Sequence, residues 1–382
     1  MRLKDFLIGV GITITLLLVA ELGVGLTFGV RTDLVIDHPI FHHVWKPNQT
    51  FLSYCPGDET PSPPLRTVNA LSWLDGPVLS KEKEPNEFRV LFVGDSFVQG
   101  SGSAKASMPG VVVRLLQKQL PYRKVTHINS GTLSYSPLLI SVRLANLLQY
   151  HPDLVIFSVD MTDDFDDWKY RQTIVANPAG SILAVQPRSL LFAPFREGRN
   201  GIERSSFFKN APLWLAKRSE LAFFLFSLFA QDSGSPSPNE VFQKNYLELH
   251  EKGIYTRWAW CRNEWDEFTT ENVRFTLSQI DQVVRAVRAL GIPLVATAVP
   301  HIHQLQGVWS ERPHLLIQEQ VLASGGLYAD TLSKLRALGE ESESLYCKGD
   351  MHFNSRGNER WGTAIAESLI PLLPLERPQG VP

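Results

Sequence analysis

Val90-Leu91-Phe92-Val93 is an unbroken apolar run that ends on Gly94-Asp95-Ser96, inside the stretch RVLFVGDSFVQG. A strand with one wet face alternates apolar and polar residues. A continuous β-branched and aromatic run suits a strand covered on both faces, which belongs in the interior of a parallel sheet flanked by helices. The chain from Phe88 onward meets that demand. Its pattern predicts a strand over 89–93, a helix over about 107–119, a strand over 124–129, a helix over 137–150 and a strand over 154–159. This βαβαβ order argues for a parallel, doubly wound α/β sheet.

The rhythm breaks between about 165 and 270. It returns with a helix over 271–290 ended by Gly291, a strand over 293–299 and a final helix from Ser355 to Leu369. The middle reads as an insertion or cap on one domain spanning 88–375. Within it SELAFFLFSLFA is too short to span a bilayer. It reads as a buried helix, with an acyl-binding or membrane-touching lip as the alternative. The breaker-rich QDSGSPSPNE reads as a flexible surface loop. No internal repeat is visible.

The N-terminus obeys a different rule. An apolar run from Phe6 to Val30, broken by Glu21 and a few small polar residues, is long enough to span a bilayer at 1.5 Å rise per residue. Arg2 and Lys4 precede it, so residues 1–30 are predicted to be a transmembrane anchor with a cytoplasmic N-terminus and an exported remainder, periplasmic or extracellular. A cleaved signal peptide is the competing reading. The absence of an A-x-A-like site and the length of the run favour the uncleaved anchor. Glu21 is predicted to face a partner or to lie near the outer interface. Residues 31–87, rich in Pro, His and Asn, read as an irregular approach segment wrapping the domain.

The whole chain has 37 basic and 39 acidic residues, a formal net charge of -2, so no global field draws nucleic acid. Cys55, Cys261 and Cys347 are too few for a disulfide scaffold. One disulfide suits an exported domain, three unpaired thiols are the alternative, and spacing does not choose the pair.

In open α/β sheets ligands sit beyond the carboxyl ends of the strands, which is where Ser96 would stand. Near the other end of the chain, Asp350 and His352 lie two residues apart in KGDMHFNSRGNERWG, just before an amphipathic helix. A carboxylate so near can fix the imidazole tautomer through Nδ1 and leave the other nitrogen to activate a serine hydroxyl.

On these residues the chain resembles the SGNH hydrolases, the GDSL esterase and lipase superfamily, over about 88–160 and 290–370. The N-terminal anchor, the WKPN approach and the VPHIHQ turn resemble its membrane-anchored bacterial members. The resemblance implies a three-layer α/β/α fold with a flavodoxin-like parallel sheet and no cofactor or metal. FVGDSFVQGSG matches the first block and implies Ser96 as nucleophile and oxyanion donor through its N–H. INSG matches the second block and implies the Gly131 N–H as another donor. DMHFNSRG matches the last block and implies His352 as base with Asp350 behind it. D-x-H spacing also occurs in relatives acting on exopolysaccharide acetyl groups. The third block departs: VDMTDDFDD has Thr162 and Asp163 where the family usually has Asn and Asp, so Thr162 offers a single hydroxyl to the oxyanion hole in place of an amide.

The implied reaction is hydrolysis or transfer of a carboxylic O-acyl ester, O-acetyl in the leading case, on an acylated glycan or a small ester. A non-catalytic glycan-binding or polysaccharide-assembly protein on the same fold is the alternative. The acidic cluster Asp160, Asp163, Asp164, Asp166 and Asp167 reads as a solvated loop rather than a metal site. His301 and His303 read as structural or substrate-lining rather than as ligands. Trp258, Trp260 and Trp265 read as packing between cap and core, with flat faces for sugar rings as the alternative. Of these, His301 and Trp258 are the candidate substrate-binding residues.

Overall fold

The computed structural model of the protein describes residues 3–28, 34–53, 55–58, 64–187, 219, 221 and 238–373. At its centre is a parallel sheet of five strands: β5 (Glu87–Val93), β6 (Lys124–Asn129), β7 (Leu154–Val159), β10 (Leu294–Ala298) and β11 (Leu327–Tyr328). They lie in the order β11-β10-β7-β5-β6, and every neighbouring pair is parallel. The order reverses between β5 and β7, the two strands whose chain both continues into the edge described below. All of β5 is buried, as is all of β7, which explains their unalternating sequences.

Helices cover both faces. On one, α3 (Met108–Gln119) packs against α11 (Ser355–Leu369), with α10 (Thr331–Ala337) beside α11. On the other, α4 (Pro137–Leu148), α5 (Asp163–Tyr170) and α9 (Arg312–Ala323) all pack against α7 (Glu267–Arg288). The starts of these helices are set by side chains that satisfy otherwise orphaned backbone donors. Asn354 Oδ1 accepts from Gly357 N at 2.9 Å and Asp266 Oδ1 from Thr269 N at 2.7 Å. Phe92, Ile156, Val284 and Ile365, all fully buried, are among the residues that join the layers. Each such side chain contributes about 1.5–3 kcal/mol over leaving it in water.

The approach segment is more ordered than its sequence suggests. β1 (Val35–His38) pairs antiparallel with β2 (His42–Trp45), and β3 (Thr50–Leu52) with β4 (Leu65–Thr67). Trp45, Phe51, Val68 and Leu74 form a small core of their own, and the Trp45 Nε1–H donates to Gly131 O at 2.7 Å. A third antiparallel pair, β8 (Ile174–Ala176) with β9 (Ile182–Val185), lies in the predicted cap, where α6 (Pro238–Glu251) follows. Most of SELAFFLFSLFA and of QDSGSPSPNE lies outside the described residues.

The N-terminal helix α1 spans Leu3–Phe28 and exposes Ile12, Leu16, Leu18, Val19 and Leu22. Among the described residues no helix is long and apolar enough to cross a membrane. The predicted span is therefore not found in them: its run to Val30 passes beyond Val24, the last side chain described in α1. Glu21 meets a partner within the chain, accepting from Ser219 Oγ at 2.7 Å and Leu221 N at 3.0 Å.

Candidate active site

Two loops meet at the carboxyl edge of the sheet. The first leaves β5 through Gly94. A Cβ there would lie 2.4 Å from Val98 Cγ2 and 3.1 Å from Ser158 Cβ, so only glycine lets the chain fold back this tightly. The turn opens a single helical turn, α2 (Ser96–Gln99), capped by Asp95, whose Oδ1 accepts from Phe97 N at 2.9 Å. Ser96 is thereby the first helical residue and is half-buried.

The second loop precedes α11. Cys347 N donates to His352 O at 2.9 Å and Asp350 N to Cys347 O at 3.0 Å, so residues 347–352 close on themselves. Phe97 packs against the His352 ring with centroids 4.9 Å apart. The outcome is a continuous chain of contacts. Ser96 Oγ lies 2.8 Å from His352 Nε2, and His352 Nδ1 lies 2.6 Å from Asp350 Oδ1, which also accepts from His352 N at 3.1 Å. The structure thus brings Ser96 to Asp350 and His352, which lie more than half the chain away from it.

Burial acts to depress the His352 pKa, but the charge and hydrogen bond of Asp350 outweigh it, with Asp95 and Asp160 adding, and the net shift is upward. Such an imidazole accepts a proton readily from a hydroxyl and is stabilised once charged. Burial and the neighbouring Asp160 push the Asp95 carboxyl well above the usual carboxylate range.

The predicted oxyanion donors are arranged differently. Gly131 N–H donates to Asn129 Oδ1 at 3.0 Å. A Cβ on Gly131 would lie 2.3 Å from Gln99 N, so its glycine character serves the close contact of this loop with α2. The Thr162 hydroxyl donates to Asp160 Oδ2 at 2.5 Å, and Thr162 N donates to the same oxygen at 3.2 Å. Both expected donors therefore already serve acceptors within the chain.

The acidic stretch is not the solvated loop its composition suggests. Asp160, Asp163, Asp164, Asp166 and Asp167 are all buried, Asp160 just before α5 and Asp163, Asp164 and Asp166 in its first turn. Carboxylates are favoured in the first turn of a helix, and here Asp163 Oδ2 also accepts from Asp160 N at 2.9 Å. Burial first, then the charges of Asp95, Asp160 and Asp167, raise the Asp163 pKa well above normal. Among the described residues no group of three or more His, Cys, Asp or Glu is placed to hold a metal.

His301 and Trp258 touch, with centroids 5.3 Å apart, but both are buried, so neither presents a ring to a substrate. His301 caps α8 (Ile302–Leu305) through Nδ1 and stacks on Trp309 at 4.4 Å. Burial, with His303 next, holds its imidazole well below the ordinary range, and therefore neutral. Trp260 is fully buried with Nε1 donating to Met161 O at 2.8 Å, and Trp265 Nε1 donates to Trp260 O at 3.1 Å, so these indoles pack cap against core. A cavity of about 480 Å³ beside Trp309, lined also by His250, Arg262 and Asp266, includes none of Ser96, Asp350 and His352.

Several residues that shape the site carry no motif. Cys55 and Cys347 form a disulfide, with Cα atoms 5.2 Å apart, while Cys261 is free and buried. The fully buried Arg66 pairs with Asp75 and donates to Gly100 O at 2.9 Å, Gly102 O at 3.2 Å and Gln99 O at 2.7 Å. A lone arginine in a Pro- and Asn-rich stretch gives no periodic or spacing signal that could have marked it.

The chain matches no protein-family model, and no curated protein matches it. It is similar to solved structures at low identity. An acetyl xylan esterase variant from Geobacillus stearothermophilus is 13% identical with a TM-score of 0.39, over 74% of this chain and 94% of that one. A lipase/acylhydrolase from Enterococcus faecalis is 11% identical with a TM-score of 0.38, over 76% and 98%. A two-domain esterase active on acetylated mannans is 12% identical with a TM-score of 0.39, over 77% of this chain and 52% of that one.

Proposed function

We propose that the chain is a membrane-anchored serine esterase of the SGNH type that hydrolyses or transfers a carboxylic O-acyl ester, an O-acetyl group on a glycan in the leading case. The observation that carries the reading is the Ser96–His352–Asp350 chain of 2.8 and 2.6 Å contacts at the reversal point of a parallel sheet. Ser96 Oγ attacks the acyl carbon as His352 Nε2 takes its proton. Asp350 holds the Nδ1–H and stabilises the imidazolium. The Ser96 N–H, at the start of α2, faces the oxyanion. His352 then returns the proton to the departing alkoxide. Water or a sugar hydroxyl, deprotonated by the same imidazole, resolves the acyl-enzyme.

Anchoring is supported by the 26 residues of α1, its exposed apolar side chains and the basic Arg2 and Lys4 ahead of the apolar run from Phe6. The reading is tested by a fluorophosphonate probe, which bonds only to an activated serine. Wild type should label, and Ser96→Ala should lose both labelling and turnover of p-nitrophenyl acetate while keeping its circular dichroism spectrum. A folded wild type that neither labels nor turns over esters leaves the non-catalytic, glycan-binding reading in its place.

A further inference from the structure

A helix of four residues cannot sustain itself. Nucleating one turn fixes several dihedrals for a single hydrogen bond, and the carbonyls at its end have no partner in the helix. Yet α2 sets where Ser96 Oγ sits. Its N-terminal side is held by Asp95; its C-terminal side is held from elsewhere in the chain, by Arg66. One guanidinium reaches the carbonyls of Gln99, Gly100 and Gly102, a planar fork of donors matched to the orphaned acceptors, with its positive charge at the favourable end of the turn. Asp75 Oδ2 takes the Nε–H at 2.6 Å and compensates the buried charge.

The same segment reaches the other loop. Cys55 is bonded to Cys347, Lys348 N donates to Pro56 O at 2.7 Å, and Ser355 Oγ donates to Asp58 Oδ2 at 2.6 Å. These contacts bracket Asp350 and His352 on both sides. The two loops are then joined directly, Ser101 Oγ donating to Phe353 O and Asn358 Nδ2 to Ser101 Oγ at 3.1 Å.

We propose that residues 55–58 and 64–76 form a brace that sets the Ser96–His352 contact, with Arg66 as the positioning residue for Ser96 and the Cys55–Cys347 bond as its counterpart for His352. The proposal rests on the esterase reading. Arg66 touches neither substrate nor reacting atoms; it acts through the carbonyls of α2.

Removing Arg66 alone would strand Asp75 in the interior, so the informative variant is Arg66→Met with Asp75→Asn, which leaves no unpaired buried charge, suits the left-handed backbone at position 75 (φ 53) and keeps an oxygen for Thr67 N. The full-length protein is used in detergent, and the Ser96 acylation rate is read from the p-nitrophenyl acetate burst and from fluorophosphonate labelling. The expected result is a loss in the limiting acylation rate of about 10- to 100-fold, with the ester concentration that half-saturates the burst rate within about twofold of wild type, at a temperature well below the melting transition of both proteins. A small shift suffices for this: displacement of a reacting group by about 1 Å costs about 10²-fold. Arg66→Lys, which keeps the charge but loses the fork, should fall between the two. Cys55→Ser with Cys347→Ser should also slow acylation, and combining the two pairs should cost less than the product of the separate losses, because both act on one contact. A folded Arg66→Met/Asp75→Asn variant that acylates at the wild-type limiting rate, or whose loss lies wholly in the ester concentration that half-saturates the burst, overturns the brace and leaves the esterase reading intact. A wild type without labelling or turnover overturns the esterase reading, and the positioning role with it.

Discussion

Asp350→Asn preserves shape and removes one charge from the contact that polarises His352. In the esterase reading His352 becomes an imidazolium in the transition state. With charge centres about 4 Å apart and an effective dielectric of about 20, the carboxylate stabilises that cation by about 4 kcal/mol. The side chains of His352 and Asp350 keep 30% and 21% exposure, so water screens part of it. Retaining half gives about 2 kcal/mol, or about 30-fold in rate. The amide adds a second penalty if its N–H turns toward Nδ1, because the ring proton then moves to Nε2 and the base is lost; in a serine-protease triad the same substitution costs about 10⁴-fold. The expected fall in kcat/KM for p-nitrophenyl acetate is therefore between about 30-fold and 10⁴-fold. The pH profile gives an independent sign. Burial alone lowers the His352 pKa, and Asp350 is the largest influence raising it. The neutral ring is the active base, so wild-type activity falls as pH drops through a pKa above the ordinary imidazole value. Without the Asp350 charge that limb moves to lower pH, and the variant retains a larger fraction of its own plateau in mild acid. A variant within about threefold of wild type whose acid limb has not moved would refute the reasoning.

Burial pushes the Asp167 carboxyl up from 3.8 to about 7. The folded state therefore holds a proton that the unfolded chain has released across that window, so this contribution is complete below about 4, erodes as pH rises, and is lost above about 7, by at most about 4 kcal/mol. Asp167→Asn keeps an oxygen for Leu138 N, at 3.0 Å in the wild type, and should raise the melting temperature at about pH 8 by several degrees while changing little at about pH 4; equal effects at both would contradict it. For the anchor, a reporter fused after residue 40 should be active outside the cytoplasm and the mature chain should begin at its first residues; a chain starting near residue 25 would show a cleaved leader instead.

The legible parts of the molecule are those whose signal is local. β6 and β7 coincide with the runs at 124–129 and 154–159, and α11 with the amphipathic stretch Ser355–Leu369. α7 begins four residues before the expected 271, at Glu267, because Asp266 caps it. β11, two residues long, is too short to show a period. The aspartates of α5 look solvated because charges usually are; what buries them is packing against α7, a partner roughly a hundred residues on. Ser96, Asp350 and His352 were visible because each sits at a chain turn with its neighbours in sequence. Arg66 and the Cys55–Cys347 pair were not, because their roles are defined by atoms far along the chain. The engagement of Gly131 by Asn129 and of Thr162 by Asp160 is likewise a matter of hydroxyl and amide direction, which residue identity does not encode.

The sequence separation of 292 between Cys55 and Cys347 also sets an order of assembly. A chain made in the N- to C-terminal direction presents Cys55 before the first strand of the sheet and Cys347 after the last, so the first thiol waits while the whole sheet is synthesised. During that interval Cys261 emerges as a rival partner. Folding removes the rival, since Cys261 ends fully enclosed beside Trp258 and Trp260. The loop bearing Asp350 and His352 is fastened last, so in the esterase reading Ser96 gains its base only after all five strands of the sheet have emerged.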